Sequence, residues 1–286
     1  VPQWNCGCEN CALARAGSPE VSPRTQDSIA ITGSGDRWLV INASPDVCRQ
    51  LEQTPALHPQ SRRHTPIAAV ALLNGDLDHV TGLLSLRESQ HFSILATARV
   101  RSGLVERNVM MRTLARTPDQ VTWRTMELAK ELVLEDVGVA VVPVAVPGKL
   151  PIHLVGVLDP SLEDNVALRV RDLRSGRTVV VATAAGSLDG AQAWVAGADV
   201  VFFDGTFWTE DEMVTGGLGR ARAQDMAHVP IGGPDGSLAR LRLPESRRIY
   251  THVNNSNPVL RRSSAERAAV ERAGWEVAYD GMEVLL

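Results

Sequence analysis

The 286-residue chain contains no uninterrupted apolar run of the roughly 18 residues needed to cross a bilayer. It has no basic excess either: 29 Lys and Arg stand against 33 Asp and Glu, a formal charge of −4, which argues against nucleic acid as a partner. The opening Val1-Pro2-Gln3-Trp4 lacks the charged and then apolar start of an export signal and lacks an initiator Met. A cytoplasmic protein is expected, with a short preceding segment that carries the first strand of its fold. There is no G-x-x-x-x-G-K-[ST] loop, no G-x-S-x-G elbow and no G-x-G-x-x-G after a strand, so nucleotide-dependent and serine-hydrolase chemistry have no support. Internal repeats and long linkers are also missing, and a single domain over residues 1–286 is expected. Cysteine is scarce at four residues, too few for a disulfide scaffold of this length.

What the chain does have is apolar residues, 44% of the total, enough for a sizeable core. Strand-like segments lie at 28–32, 37–42, 67–73, 93–96, 153–158, 166–172, 178–182, 200–204, 248–252, 276–278 and 284–286. Several are wholly apolar, the mark of strands buried on both faces. Helical patterns lie at 46–53, 81–87, 97–108, 188–196 and 263–273, the last with Ser263 or Ser264 as its cap and Gly274 as its stop. This alternation predicts an α/β fold, an α/β/β/α sandwich of two packed mixed sheets with outer helices.

Three apolar segments run directly into metal-capable groups: Asn74-Gly75-Asp76-Leu77-Asp78-His79, Asp204-Gly205-Thr206-Phe207-Trp208 and His252-Val253-Asn254-Asn255. Strand ends are rigid, so side chains placed there can converge. Asp76, Asp78, His79, Asp204 and His252 offer two imidazoles with carboxylates, a donor set that suits mononuclear non-heme Fe(II) with open positions. Each residue also has a plainer reading. Asp78 and His79 could cap a helix, Asp204 before Gly205 could be a turn residue, and His252 could be a hydrogen-bonded structural histidine. His228, in Met226-Ala227-His228, is a candidate acid/base or a residue of a glycine-rich loop. His58, His64, His91 and His153 read as surface or packing residues, and Cys48 as packing.

Cys6, Cys8 and Cys11 fall within six residues. Three soft ligands on one short loop predict a structural zinc in the segment 4–12, with a fourth ligand that spacing does not reveal.

These motifs carry a resemblance. The hexad 74–79 is similar to the H-x-H-x-D-H metal loop of the metallo-β-lactamase superfamily, with Asn74 and Asp76 in place of its two early histidines. Together with Pro2 to Cys11, Asn42-Ala43-Ser44-Pro45-Asp46, Asp204 to Trp208, His252 to Asn255, Asn257-Pro258 and Asp280-Gly281-Met282, it makes nearly the whole chain resemble the pyrroloquinoline quinone (PQQ) biosynthesis protein B family. The chain departs from the family at three places. Ala182-Thr183-Ala184-Ala185-Gly186 stands for Ala-Pro-Gly-Cys-Gly, Met226-Ala227-His228 for Met-Gly-His, and Asn254-Asn255-Ser256 for Asn-Asn-Thr.

The resemblance implies a step in PQQ biosynthesis, in the manner of an iron-dependent hydroxylase, an oxidoreductase acting on the tyrosine ring of a cross-linked Glu-Tyr precursor. Other PQQ pathway proteins are implied as partners. It implies Fe(II) at Asp76, Asp78, His79 and His252 with Asp204 nearby, and the cysteines as the zinc site; beside it, His228 and Asp204 are expected to be catalytic, Asp204 either ligating the metal or orienting a ligand. Two alternatives stand beside this: a carrier for the transport of PQQ or its precursor towards the periplasm, and a binuclear zinc hydrolase.

Overall fold

The computed structural model describes residues Val1–Leu286 and divides into two compact units. One comprises Gln26–Ala145 with Leu150–Thr178. The other comprises Val1–Thr25, Val146–Lys149 and Val179–Leu286.

In the Gln26–Ala145 unit, β1 (Ile29–Ile31) pairs antiparallel with β2 (Trp38–Ile41). β2, β3 (Ile67–Ala71), β4 (Phe92–Ala96) and β5 (Val121–Thr125) then follow side by side and parallel. All five residues of β3 are buried, which is why Ile-Ala-Ala-Val-Ala shows no alternation with polar residues. Val70 shares a core with Val40, Ile94 and two residues of the helix Ala98–Val105, Val100 and Leu104. That helix starts where the Thr97 side chain accepts the Val100 N–H, satisfying one of the donors that a helix start leaves over. β6 (Leu132–Leu134), β7 (Val139–Ala145) and β8 (Val166–Asp172) form an antiparallel meander.

In the other unit, which β9 (Thr178–Ala182) enters at Val179, β9, β10 (Val200–Asp204), β11 (Arg247–Thr251) and β12 (Trp275–Val277) lie parallel in that order. Helices Ala191–Val195 and Ala265–Arg272 lie in the crossovers; the second is capped by Ser264, which accepts the Arg267 N–H. The register sets Phe203 opposite Ala182 and Asp204 opposite Thr251. The carboxyl ends of β9, β10 and β11 are therefore nearly level, and the residues that follow them emerge along one edge, where parallel sheets build their sites.

Several expectations are corrected. Segment 153–158 is not a strand: Ile152–Leu154 is a turn of 3-10 helix, and Pro151 before it and Gly156 at φ +75° break extension. The terminal 284–286 makes no strand, and 81–87 is a 3-10 helix over Thr81–Leu86. Cys48 is exposed rather than packed. β5, β6 and β7 were not anticipated. No helix is long and apolar enough to cross a membrane.

Candidate metal centre

After β3 the chain reaches Asn74, and Leu77–Val80 forms a single helical turn. Asn74 Oδ1 accepts the Asp76 N–H at 3.0 Å and lies 2.7 Å from His79 Nδ1. A backbone N–H can only donate, so the oxygen end of the amide is fixed there, and Nδ1 of His79 must carry the proton it shares with it. Asn74 Nδ2 in turn donates to Asn165 Oδ1 at 3.1 Å. Buried His79 is thereby held as the tautomer whose Nε2 bears the lone pair, the form that ligates metals. Asp78 Oδ2 lies 3.9 Å from that Nε2. Asp76, at the N-cap of the turn, makes no side-chain capping bond. Ala43 N–H donates to His79 O at 2.7 Å and Gly82 N–H to Ala43 O at 2.9 Å. A Cβ on Gly82 would sit 2.1 Å from Ser44 O, so only glycine permits this close approach.

In the other unit, Asp204 at the end of β10 is fully buried. Its Oδ2 accepts the Ala185 N–H at 2.8 Å and lies 2.7 Å from His228 Nδ1. Its Oδ1 accepts the Thr206 N–H at 3.0 Å and the Thr206 hydroxyl at 2.6 Å. Four donors thus fill both carboxylate oxygens, the usual capacity of the group. Thr206 has one proton, and the carboxylate at 2.6 Å outcompetes the His252 carbonyl at 3.0 Å. Its oxygen is then left to accept from His252 Nδ1 at 2.9 Å. Both imidazoles, like that of His79, keep Nδ1 protonated, the tautomer whose Nε2 bears the lone pair. Burial by itself would raise the Asp204 pKa, but the neighbouring His228 charge and hydrogen bond, with His252 and the Thr206 hydroxyl, hold it below the ordinary carboxylate value.

The rings of His228 and His252 stack at 5.5 Å, and Phe207 meets His228 edge-on at 5.9 Å. His252 lies at φ +54° and Ala227, next to His228, at φ +60°. Both are in the left-handed region, which costs a residue with a Cβ about 1–2 kcal/mol. Asp204, His228 and His252 bring ligand-capable atoms within 4.8 Å of one another.

Cys6, Cys8 and Cys11 likewise converge within 4.8 Å, none of them in a disulfide. Backbone N–H groups of Gln3 and Cys8 point at Cys11 Sγ and Cys6 Sγ at 3.3 and 3.4 Å. Burial acts against ionisation of Cys8, yet the bonds from the Cys11 backbone, from Asn255 and from the other cysteines lower its pKa, while burial and the neighbouring Cys8 raise that of Cys11, so ionisation falls first on Cys8. Three soft donors on one loop are a set that zinc fits.

Sequence reasoning singled out the histidines and carboxylates. It passed over the groups that hold them: Asn74, read as a lost ligand, Asn165, Ala185 and Thr206. The signal for Thr206 was its place two residues after the strand-end Asp204, where a hydroxyl can fold back onto the carboxylate. Of the three departures from the resembled family, the one at Ala185 leaves the contact to Asp204 intact, because a backbone N–H makes it.

A family model described as a beta-lactamase superfamily domain matches residues 37–253. Coenzyme PQQ synthesis protein B of Ruegeria pomeroyi is 43% identical over 289 residues, covering 100% of this chain and 96% of the relative. The protein of that name from Methylobacterium nodulans is 45% identical with the same coverage. The 1.98-angstrom crystal structure of Zn(2+)-bound PqqB from Methylobacterium extorquens superposes with a TM-score of 0.92 at 39% identity, covering 100% of this chain and 96% of that one. A diphosphatase of the PhnP family, at 17% identity and a TM-score of 0.65, shares the fold alone. The fold is thus the α/β metallo-β-lactamase one, with two mixed sheets and flanking helices. Matched along its whole length at this identity, the chain belongs to the coenzyme PQQ synthesis protein B family.

Proposed function

We propose that the protein acts in PQQ biosynthesis as an Fe(II)-dependent hydroxylase of the tyrosine ring in a cross-linked Glu-Tyr precursor. Family membership supports the pathway, and the fold supports a metal-dependent enzyme. The observation that carries the metal reading is the common state of His79, His228 and His252: each has Nδ1 donating to a protein oxygen, which fixes the tautomer whose Nε2 bears the lone pair.

The ligands proposed are His79, His252 and one or both of Asp76 and Asp78, on the chemistry of their donor set. Bound there, Fe(II) would supply activation of dioxygen, with two electrons from an external reductant. Asp204, its oxygens already filled, orients rather than ligates. It fixes the His228 tautomer and compensates the charge when His228 Nε2 takes the phenol proton, as a carboxylate behind an imidazole does. Asn74 spends its carbonyl oxygen on His79 and adds no ligand, which lowers the count that a binuclear zinc hydrolase requires. Cys6, Cys8 and Cys11 hold a structural zinc. The precursor and other PQQ pathway proteins are the partners this role calls for, and the cytoplasm is its proposed location.

The test is anaerobic loading with Fe(II), addition of a cross-linked Glu-Tyr substrate and a reductant, and measurement of oxygen uptake with product mass. A gain of one or two oxygens, lost with zinc in place of iron, supports the hydroxylase. Saturable binding of PQQ without oxygen uptake, at full iron occupancy, overturns it in favour of a carrier.

A further inference from the structure

In the Gln26–Ala145 unit a cavity of about 300 Å³ opens at the end of β3 remote from the metal loop. Ile67 and Phe92, the first residues of β3 and β4, line it, whereas Asn74 and His79 come after the last residue of β3. Over the five residues of that strand, at about 3.3 Å per step, the two ends stand about 13 Å apart. Cys48, Leu51 and Glu52 of the helix Val47–Glu52 and Ser85 and Leu86 of the 3-10 helix Thr81–Leu86 add to the lining. The cavity is therefore separate from the metal loop.

Its apolar lining is Leu57, Ile67 and Phe92, all buried, with half-buried Leu51 and Leu86. The volume lies at the small end of the range for small-molecule sites, about 300–1,000 Å³, and suits a single ring or a short branched chain. The charged lining is of one sign: Glu52 and Glu88 are present, and no Lys or Arg. Glu88 faces Arg87 at 3.7 Å, but Glu52 makes no ion pair. His64 Nδ1 accepts the Gln60 N–H at 3.2 Å, so that ring holds one proton, on Nε2, and is neutral. His58 Nε2 lies 2.9 Å from Glu52 O, to which it can only donate, and the neutral ring then offers Nδ1 as an acceptor. An anion in the cavity would meet two carboxylates. A protonated amine matches the lining at both ends, its carbon body against the apolar residues and its N–H groups on the carboxylates.

We propose that this cavity is a second ligand site of the protein, one that takes a small organic amine with its apolar body against Leu57, Ile67 and Phe92 and its ammonium at Glu52. It is independent of the metal centre and of the reaction proposed there.

Phenethylamine is the probe, with phenethyl alcohol and 3-phenylpropionate as its neutral and anionic counterparts. In an NMR titration at about pH 8, above the ordinary histidine pKa, the amine should saturate with a Kd of about 10 mM or tighter, the weakest value expected for a ligand of this size. The alcohol should bind about threefold to fivefold more weakly, the difference made by one ion pair open to water, and the carboxylate more weakly still. No saturation by the amine, or equal binding of amine and alcohol, would overturn the proposal. Glu52→Gln should weaken the amine to the level of the alcohol and leave the alcohol unchanged. Equal loss for both ligands, or loss for neither, would remove Glu52 as the partner of the ammonium and overturn it as well. Cys48 lines the cavity and is exposed, so it reports on where the amine sits. Saturating phenethylamine should slow alkylation of Cys48 by iodoacetamide, read from peptide masses, and leave that of Cys6 unchanged. An unaltered rate at Cys48 would place the amine elsewhere and sink the site.

Discussion

The loop after β3 and the loops after β10 and β11 hold histidines by the same geometry and different chemistry. His79 leans on Asn74, a neutral amide that also accepts a backbone N–H. His228 leans on Asp204, a fully buried carboxylate, and His252 on the hydroxyl that this carboxylate polarises. An amide fixes a tautomer without adding charge. A buried carboxylate also fixes it, but must be kept ionised by every donor around it and is costly to disturb. The β3 loop is therefore expected to tolerate change at its holding residue, and the β10 loop to fail.

The largest effect is expected from Asp204→Ala, which strands the Ala185 and Thr206 N–H groups and the His228 Nδ1–H in a dry site. A loss of about 3–5 kcal/mol in urea unfolding is expected. The carboxylate's pKa is lowered in the folded state, so its stabilisation is complete above the ordinary Asp value of about 3.9 and is lost as pH falls through the folded value. The gap between variant and wild type should therefore be flat near neutrality and close only in acid. A gap that widened in acid would contradict an ionised Asp204.

Thr206→Val, nearly isosteric, removes one hydroxyl that serves both Asp204 and His252. It should cost about 1–3 kcal/mol of stability and, by freeing the His252 tautomer, weaken metal binding about 10–100-fold in calorimetric titration. Unchanged metal affinity would show that Thr206 is only structural.

Asn74→Asp makes the two regions alike. An anionic partner raises the basicity of His79, and metal affinity should rise by about tenfold or less, at the expense of the bond to Asn165. A fall in affinity would mean that the amide was selected to keep charge low.

The smallest effect is expected from Ala227→Gly beside His228. Relief of a Cβ at φ +60° should add about 1 kcal/mol or less to stability, read from urea unfolding.

Much of this was legible before any coordinates. β3 announced itself through an unbroken apolar run, and the residues that follow β3, β10 and β11 were marked as site-forming because polar groups so rarely interrupt such runs without reason. What escaped has local causes. Pro143 disguised β7, since proline supplies no N–H to a ladder; it is tolerated because β6 pairs only with Val139–Val141 and ends before reaching it. The run 153–158 looked like a strand because a short apolar stretch has no period of its own to separate strand from turn; Ile152 and Val155 prove to be 76% and 64% exposed. The residues that orient the histidines were illegible for another reason. Asn165 lies 91 positions from Asn74, and Ala185 acts through its backbone, which no side-chain pattern encodes.

The cysteine loop and the turn after β11 meet where Asn10 Nδ2 donates to Asn255 O, residues 245 positions apart. A ribosome adding about 5–20 residues per second would leave the N-terminal thiols roughly 12–50 s without their partner turn. Over that interval the cysteine loop is a set of bare, oxidisable sulfurs, and the turn at Asn255 is what later shelters them.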